Sequence, residues 1–490
     1  MQVQGYQSIH SFVQSDATVG GSRKVKNANW LAIVFGDPHW KLISIHSFFL
    51  LFPSSVNKAR SVVVDKESQQ IFVLERGTQS IIHLYDTDGD GIPDSKQAVV
   101  LEIGGLNHGL AVYEGYIYAS SSSTVYRWPY GNNNTSSTSF PIQAPAEEVV
   151  TNINKDGMGG APQGHTTRTI VFDESTGTMY VSVGSNRNID PDSYRSRIRR
   201  SGDIRDFGDV PLDFQTMDVF ADGLRNEVGM AFDKHGILWG VENSADNLIR
   251  EDLGGDIHEN NPSEELNRFD PNDTESSKHY GYPYCWTEYE LPQPPGTGRG
   301  TQWVWPSFHI DFGGTLTDED CLQYQAPVMA LQGHSAPLGI TFFEWTPPEE
   351  LPENCKSGAS FPKSMDGFAF IAYHGSWNRD VPTGYKVVYV EMDEEGNPTS
   401  TEPIDLLVHA PPNANWEDGF RPVDVAFDVC GRLLVTSDGT KGVGSKVIRI
   451  DYKGTPLVSS SVVEPRNHPS ATLFLCFFWM LLAMKWDRWK

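Results

Sequence analysis

Five positions set an imidazole or a guanidinium at the same place in a recurring pattern, just ahead of an apolar, alternating run. His108 stands in GLNHGLAV, His165 in QGHTTR, the Arg225–Asn226 pair in DGLRNEVGMAF, His334 in QGHSAPLGI and Arg421 in GFRPVDVAF. Imidazole changes charge near neutral pH and can accept or return a proton, whereas guanidinium is a permanent cation with five donors. Any one of these residues reads equally well as a turn residue satisfied by neighbouring backbone. Held in a common register they read as one shared site, made of residue types suited to moving protons and holding anions.

The elements that must position them are hairpins. An alternating apolar run, an acidic or glycine turn and a second alternating run appear as SVVVDKESQQIFVLERG from Ser61 and HGLAVYEGYIYAS from His108. The pattern returns as RTIVFDESTGTMYVSVGS from Arg168 and VGMAFDKHGILWGVENS from Val228. A fifth copy is split between LGITFFEW from Leu338 and GFAFIAYHG from Gly367, and the sixth is VDVAFDVCGRLLVTSDG from Val423. Period-two alternation around a short polar turn marks a β-hairpin, and a lone hairpin cannot bury its apolar face. Six copies predict an all-β fold, a six-bladed β-propeller whose strand starts gather around a central channel. A pair of large β-sandwiches is the competing architecture.

The predicted propeller fills residues 60–455. Within it, residues 254–330 form a long insertion rich in Pro, Gly, Trp and Tyr, expected to be ordered on one face of the ring. Residues 1–59 read as an N-terminal extension without the charged start and apolar stretch of a signal peptide, and the apolar run Leu42–Phe52 sits awkwardly inside it. Residues 456–490 read as a linker and a hydrophobic tail, Ala471–Met484. That run falls short of the ~20 residues that span a bilayer, so the expected membrane contact is a marginal anchor.

The 490 residues carry 38 Lys+Arg against 63 Asp+Glu, a formal charge of −25, which excludes a nucleic-acid partner. Cys285, Cys321, Cys355, Cys430 and Cys476 form no CxxC pair, so a zinc ribbon or c-type haem is not expected. One or two disulfides among the first four are expected, their pairing open. An extracellular or membrane-associated location follows as the expectation. No Gly-rich phosphate loop, GxSxG or HExxH occurs.

The segments GHTTR, GLRNEVGMAF, VENSADNL, GGDIHENNP, HYGYP, GHSAPLGI, HGSWNR and FRPVDVAF resemble, in their order, the soluble quinoprotein dehydrogenases. Among these the likeness is to the pyranose and sorbosone dehydrogenase branch that uses pyrroloquinoline quinone (PQQ), and it runs from about Arg60 to Asp451. The resemblance implies a six-bladed propeller that oxidises a sugar or alcohol hydroxyl by hydride transfer to the quinone, with a separate electron acceptor. It implies His165 as the base, Arg225 and Asn226 as the pair contacting the quinone, and Arg421 as a cationic contact to a cofactor carboxylate. His108, His334 and Arg379 fall in neighbouring motifs of the cofactor site. In VENSADNL it implies calcium held by the backbone carbonyls of Ser244 and Ala245, where glucose-oxidising relatives carry Gly-Pro. Ser185 stands where those relatives carry an Asp that orients the base.

A separate loop, DTDGDGIPD, sets Asp86, Asp88, Asp90 and Asp94 like the start of an EF-hand, with Gln97 where the bidentate Glu would stand. It reads as a second calcium site or as a solvated Asp-Gly turn. Two other functions fit the same fold. One is a calcium-dependent lactonase or esterase, to whose cage Glu242, Asn243 and Asp246 would contribute part. The other is an extracellular propeller that binds glycan or protein without catalysis.

Overall fold

The acidic turns of the repeat are Asx turns that close the inner hairpins of blades 1, 3, 4 and 6, on Asp65, Asp173, Asp233 and Asp428. Asp233 Oδ1 accepts the backbone N–H of His235 at 2.8 Å and of Ile237 at 3.0 Å, while Oδ2 accepts Trp239 Nε1 at 2.9 Å. Asp173 Oδ1 accepts Ser175 N, and Asp428 Oδ1 accepts both Cys430 N and Arg432 N, each at 2.9 Å. A carboxylate that captures the next backbone donors replaces a turn hydrogen bond. Part of the acidic excess is therefore structural.

The computed structural model describes residues 56–86, 93–100, 103–131, 140–154, 164–191, 194–205, 211–273, 278–355, 360–409, 415–416, 418–440 and 442–453, with the backbone of Trp30–Ile33 and Leu42–Ser47. Each predicted hairpin supplies the first two strands of one antiparallel sheet, and the sheets are six blades. Their innermost strands are Ala59–Val64, Leu110–Tyr113, Ile170–Asp173, Glu227–Phe232, Pro337–Phe342 and Pro422–Phe427, for blades 1 to 6. The only helical segments among the described residues are short 3-10 turns. No helix among them is long and apolar enough to cross a membrane.

Both faces of every blade are covered, which is why second strands such as Leu238–Glu242 and Ala369–Tyr373 are buried at every residue. One apolar cluster lies between each neighbouring pair: Phe72, Leu74 and Trp128 between blades 1 and 2, Val125, Ile170 and Val181 between 2 and 3, Tyr180, Met230 and Leu238 between 3 and 4. Trp239, Ile340 and Ile371 pack between blades 4 and 5, Phe370, Val425 and Val435 between 5 and 6, and Val62, Val73 and Leu434 between 6 and 1. The sixth cluster closes the ring. Trp239 is fully buried, and truncating such a side chain to alanine costs about 3–5 kcal/mol.

Two segments differ from the expected boundaries. Blade 4 draws its third and fourth strands, Glu264–Phe269 and Met329–Leu331, from within residues 254–330, and Lys278–His279 extends blade 3. The remainder of that stretch folds as a ribbon of Cys285–Thr287 against Gln302–Val304, stapled by the Cys285–Cys321 disulfide. Leu42–Ser47 pairs antiparallel with Val443–Lys453, and Trp30–Ile33 pairs with Leu42–Ser47, so residues before blade 1 complete blade 6. The last blade otherwise presents an open edge, and covering it from the other end of the chain locks the ring. A second disulfide, Cys355–Cys430, ties the segment between the first two strands of blade 5 to the inner turn of blade 6. Cys476 and the run Ala471–Met484 lie outside the described residues.

Candidate active site

The site forms where the inner strands begin, and blades 3 and 4 build its first half. Gly184 and Ser185 follow directly on the second strand of blade 3, Thr178–Val183. A side chain at Gly184 would place its Cβ 2.4 Å from Asn226 Oδ1 and 2.8 Å from His165 Cβ. Glycine is the residue that lets His165 and Asn226 approach from two blades. Ser185 then joins them: its N–H donates to the Arg225 carbonyl at 2.8 Å, and its carbonyl accepts the His165 N–H at 2.9 Å.

The ring of His165 is oriented by the same residue. Nδ1 lies 3.0 Å from the Ser185 carbonyl and 3.1 Å from Ser185 Oγ, and Oγ donates to the Arg187 carbonyl at 2.8 Å. A carbonyl can only accept, so Nδ1 carries the proton and Nε2 presents its lone pair. Burial, reinforced by the Arg225 charge, lowers the imidazole pKa to about 3 and keeps it neutral.

Arg225 is almost wholly buried, and all five of its donors are engaged. Nε donates to the Asn188 carbonyl at 3.1 Å, Nη1 to the Asn243 and Ser244 carbonyls at 3.1 and 2.5 Å, and Nη2 to Asn188 Oδ1 and Asp246 Oδ2 at 3.0 and 3.2 Å. Its charge is thus fixed in place. Asn188 also accepts the Asp246 N–H at 2.8 Å and the Tyr282 hydroxyl at 3.0 Å, which brings the insertion into the site. Leu248, Trp286 and Trp305 pack against Ala245, and a cavity of about 20 Å³ lies among Arg225, Glu242, Ser244, Ala245, Glu265 and Tyr282.

The other two histidines differ from His165 in having both ring nitrogens occupied. His334 sets Nε2 against the His258 carbonyl at 2.5 Å and Nδ1 against Asp246 Oδ1 at 3.4 Å. Burial lowers its pKa, but the Asp246 and Glu264 carboxylates outweigh burial and raise it overall. His108 receives Arg60 Nη2 at Nδ1, at 3.3 Å, and bonds to the Val228 carbonyl across the channel. Burial and then Arg60 and Arg76 hold it well below the ordinary histidine range.

Blades 1, 5 and 6 build a second cationic group. Arg60 Nη1 meets Asp438 Oδ2 at 3.0 Å, and Asp438 Oδ1 meets His374 Nε2 at 2.8 Å. Arg421 donates to the carbonyls of His374 and Gly375 at 3.1 and 2.8 Å and lies over the Tyr385 ring. Arg379 stands apart, held by Asn260 Oδ1 at 3.1 Å and Glu259 Oε2 at 3.4 Å. Arg60, Asn188, His374 and Asp438 are site residues that the motif reading passed over, and Asp246 enters that reading only as part of an alternative calcium cage. Arg60 occupies the shared register position, one residue before the first repeat, and that signal could have found it.

Asp86 follows the third strand of blade 1, Ser80–Tyr85, which runs away from the strand starts where His165 lies. The acidic loop is therefore at the opposite end of the blade, and Asp88 and Asp90 lie outside the described residues. Among the described residues no three His, Cys, Asp or Glu side chains are placed to hold a metal. A cation at Ser244 and Ala245 would depend on backbone oxygens. Oxygen is the right donor for calcium, and a carbonyl has a lone pair to share beyond the one facing Arg225.

The profile of the TrAA12-like family matches residues 49–445. A PQQ-dependent sugar dehydrogenase of Hypocrea jecorina (strain QM6a) is 30% identical over 415 residues, covering 80% of this chain and 86% of its own. A PQQ-dependent pyranose dehydrogenase of Coprinopsis cinerea is 30% identical over 419 residues, covering 78% of this chain and 51% of its own, so the chain spans about half of that relative's length. The calcium structure of the Trichoderma reesei AA12 enzyme superposes with a TM-score of 0.67 at 27% identity, covering 86% of this chain and 96% of that one. The holo PQQ domain of the Coprinopsis cinerea pyranose dehydrogenase gives a TM-score of 0.67 at 26% identity, covering 86% and 97%. With the profile spanning most of its blades, the chain belongs to the TrAA12-like family.

Proposed function

We propose that this protein is a PQQ-dependent dehydrogenase that oxidises a hydroxyl of a sugar or related alcohol, passing electrons to a separate acceptor. The observation that carries the reading is the asymmetry of the three register histidines. His108 and His334 have both ring nitrogens bound within the protein, whereas Nε2 of neutral His165 has no partner among the described residues. The relatives' names point to the same chemistry.

The surroundings suit an anionic polycarboxylate. Buried Arg225 pairs with Asp246, buried Arg60 pairs with Asp438 beside Arg421, and among the described residues Arg60 Nε is buried without a partner. In a protein of −25 charge this is a local reversal of sign. Bound there, PQQ supplies a quinone that takes a hydride from the substrate carbon.

The chain's own residues do the rest. His165 Nε2 takes the hydroxyl proton, its tautomer held by the Ser185 carbonyl. Arg225 acts through fixed charge, since a free donor would require it to release one of its five bonds. Arg421 offers charge and unshared donors toward a carboxylate. Calcium at the Ser244 and Ala245 carbonyls would add a second positive charge beside Arg225. Two disulfides favour an oxidising, extracellular compartment.

The test is titration of purified protein with PQQ and calcium, followed by dye reduction with a panel of aldoses and alcohols. A quinone spectral shift and sugar-dependent dye reduction are expected. Absence of both overturns the reading and leaves a binding propeller.

A further inference from the structure

Asp246, expected from the sequence only as part of an alternative calcium cage, sits between two of the site's cations. Its side chain is 13% exposed, against 7% for both Arg225 and His334. Oδ2 faces Arg225 Nη2 at 3.2 Å and Oδ1 faces His334 Nδ1 at 3.4 Å. Its own backbone is held on both sides by Asn188, whose Oδ1 accepts the Asp246 N–H at 2.8 Å and whose Nδ2 donates to the Asp246 carbonyl at 2.6 Å.

His334 is committed to this arrangement. The His258 carbonyl at 2.5 Å requires a proton on Nε2, and the carboxylate on the other side favours one on Nδ1, so the geometry favours the imidazolium. The backbone delivers it at a conformational cost. His334 and Ala336 adopt φ of 61° and 52°, left-handed values that neither side chain favours, and the Ala336 N–H is anchored on Glu264 Oε1 at 3.1 Å. Such strain persists where the surroundings over-determine it, and it gathers at functional sites.

We propose that Asp246 is a positioning residue for the dehydrogenase reaction: one carboxylate orients Arg225 and holds His334 as a second cation on the same side of the site. This rests on the function proposed above. Removing the charge without changing the shape has a specific consequence. In Asp246→Asn two cations would face each other with only Glu264, itself raised to about 7 by burial, to balance them, and His334, the one that can deprotonate, becomes neutral. The net charge of the trio is then unchanged, while Arg225 loses the one charged partner that sets Nη2 and keeps its four neutral acceptors.

A charge-dependent property should therefore survive and a geometry-dependent one should not. In Asp246→Asn the dissociation constant for PQQ is expected to stay within about threefold, because binding of an anion follows net charge. The kcat for sugar oxidation is expected to fall about 10- to 100-fold, as for a misaligned group. Nitrogen–proton NMR of the histidine side chains should show His334 doubly protonated in the parent and singly protonated in the variant. His334→Gln, which keeps an amide donor for the His258 carbonyl, should lower kcat with Arg225 still paired to Asp246, and thermal unfolding confirms that both variants are folded.

A folded Asp246→Asn with unchanged kcat, or one in which His334 stays doubly protonated, overturns the proposal. If the parent binds no PQQ and reduces no dye, the dehydrogenase reading fails instead, and the NMR comparison still decides whether Asp246 sets the state of His334.

Discussion

Ser185 holds the His165 ring through two oxygens at once, its backbone carbonyl at 3.0 Å and its hydroxyl at 3.1 Å from Nδ1. The carbonyl belongs to the backbone, so it orients the base whatever the side chain is. Ser185→Ala should therefore retain most activity, with kcat lowered by less than about tenfold. His165→Gln, which removes the lone pair, should lower it by about 10²–10⁴. Dye-reduction kinetics at saturating PQQ compare the two, and equal losses would show that the hydroxyl, not the carbonyl, does the orienting.

Gly184→Ala tests whether the two halves of the site must touch. The added Cβ would meet Asn226 Oδ1 at 2.4 Å and His165 Cβ at 2.8 Å, closer than side chains approach, and both neighbours are functional candidates. Displacement of either by an ångström is worth about 100-fold in rate. The expected outcome is a folded protein with kcat reduced on that scale, and a variant with parental kcat would separate Asn226 from the reaction.

The inner hairpins were legible because four of the six repeat one physical device, an alternating strand, an Asx turn such as Asp233 and a second strand. The outer strands were not. Glu264–Phe269 reads Glu-Glu-Leu-Asn-Arg-Phe, with a buried polar row where a strand normally shows an apolar one, and it merges into the insertion. Leu42–Ser47 owes its place to the open edge of blade 6, a contact some 400 residues away that no local pattern records. The site divides likewise. His165 and Arg225 stand at the shared register position, whereas Asn188 and Asp246 act through side-chain bonds between blades. His108 and His334 shared the signal of His165, and only their partners distinguish them.

The Cys355–Cys430 disulfide joins residues 75 apart and anchors blade 5 to the turn that begins the closing hairpin of blade 6. Restricting a loop of that length in the unfolded chain stabilises by about 2–5 kcal/mol. The paired Cys355→Ala and Cys430→Ala variant should unfold at a lower temperature and lose PQQ affinity only near that temperature. Differential scanning calorimetry with and without PQQ checks it, and an unchanged midpoint would show the ring closed without the staple.

Stability should depend on pH through a row of buried carboxylates behind Arg225. Glu227 lies opposite Glu242, and Glu242 opposite Glu265, on three adjacent strands of blade 4. Asn267 Nδ2 serves all three, at 3.3, 3.4 and 3.5 Å. Burial, followed by their mutual repulsion, pushes Glu227 and Glu242 well above the usual carboxylate range, and burial raises the adjoining Glu264 to about 7. In the unfolded chain these groups ionise near 4.5, so above that pH the folded form binds more protons and loses stability as pH rises through 7. The neutral histidines act oppositely. His165, at about 3 when folded against 6.5 unfolded, withdraws stability as pH falls below 6.5. Maximum stability is expected between these limits, on the acidic side of neutrality. Glu265→Gln removes one of the acids without altering its shape, and Thr287 Oγ1 still finds an oxygen there. Thermal unfolding from pH 5 to 8 should show the parent losing stability and the variant losing about 2–3 kcal/mol less, since burial holds Glu265 at about 7 when folded against 4.5 unfolded. Parallel curves for the two proteins would mean that the row is ionised in the folded state, with its charge balanced by a bound cation.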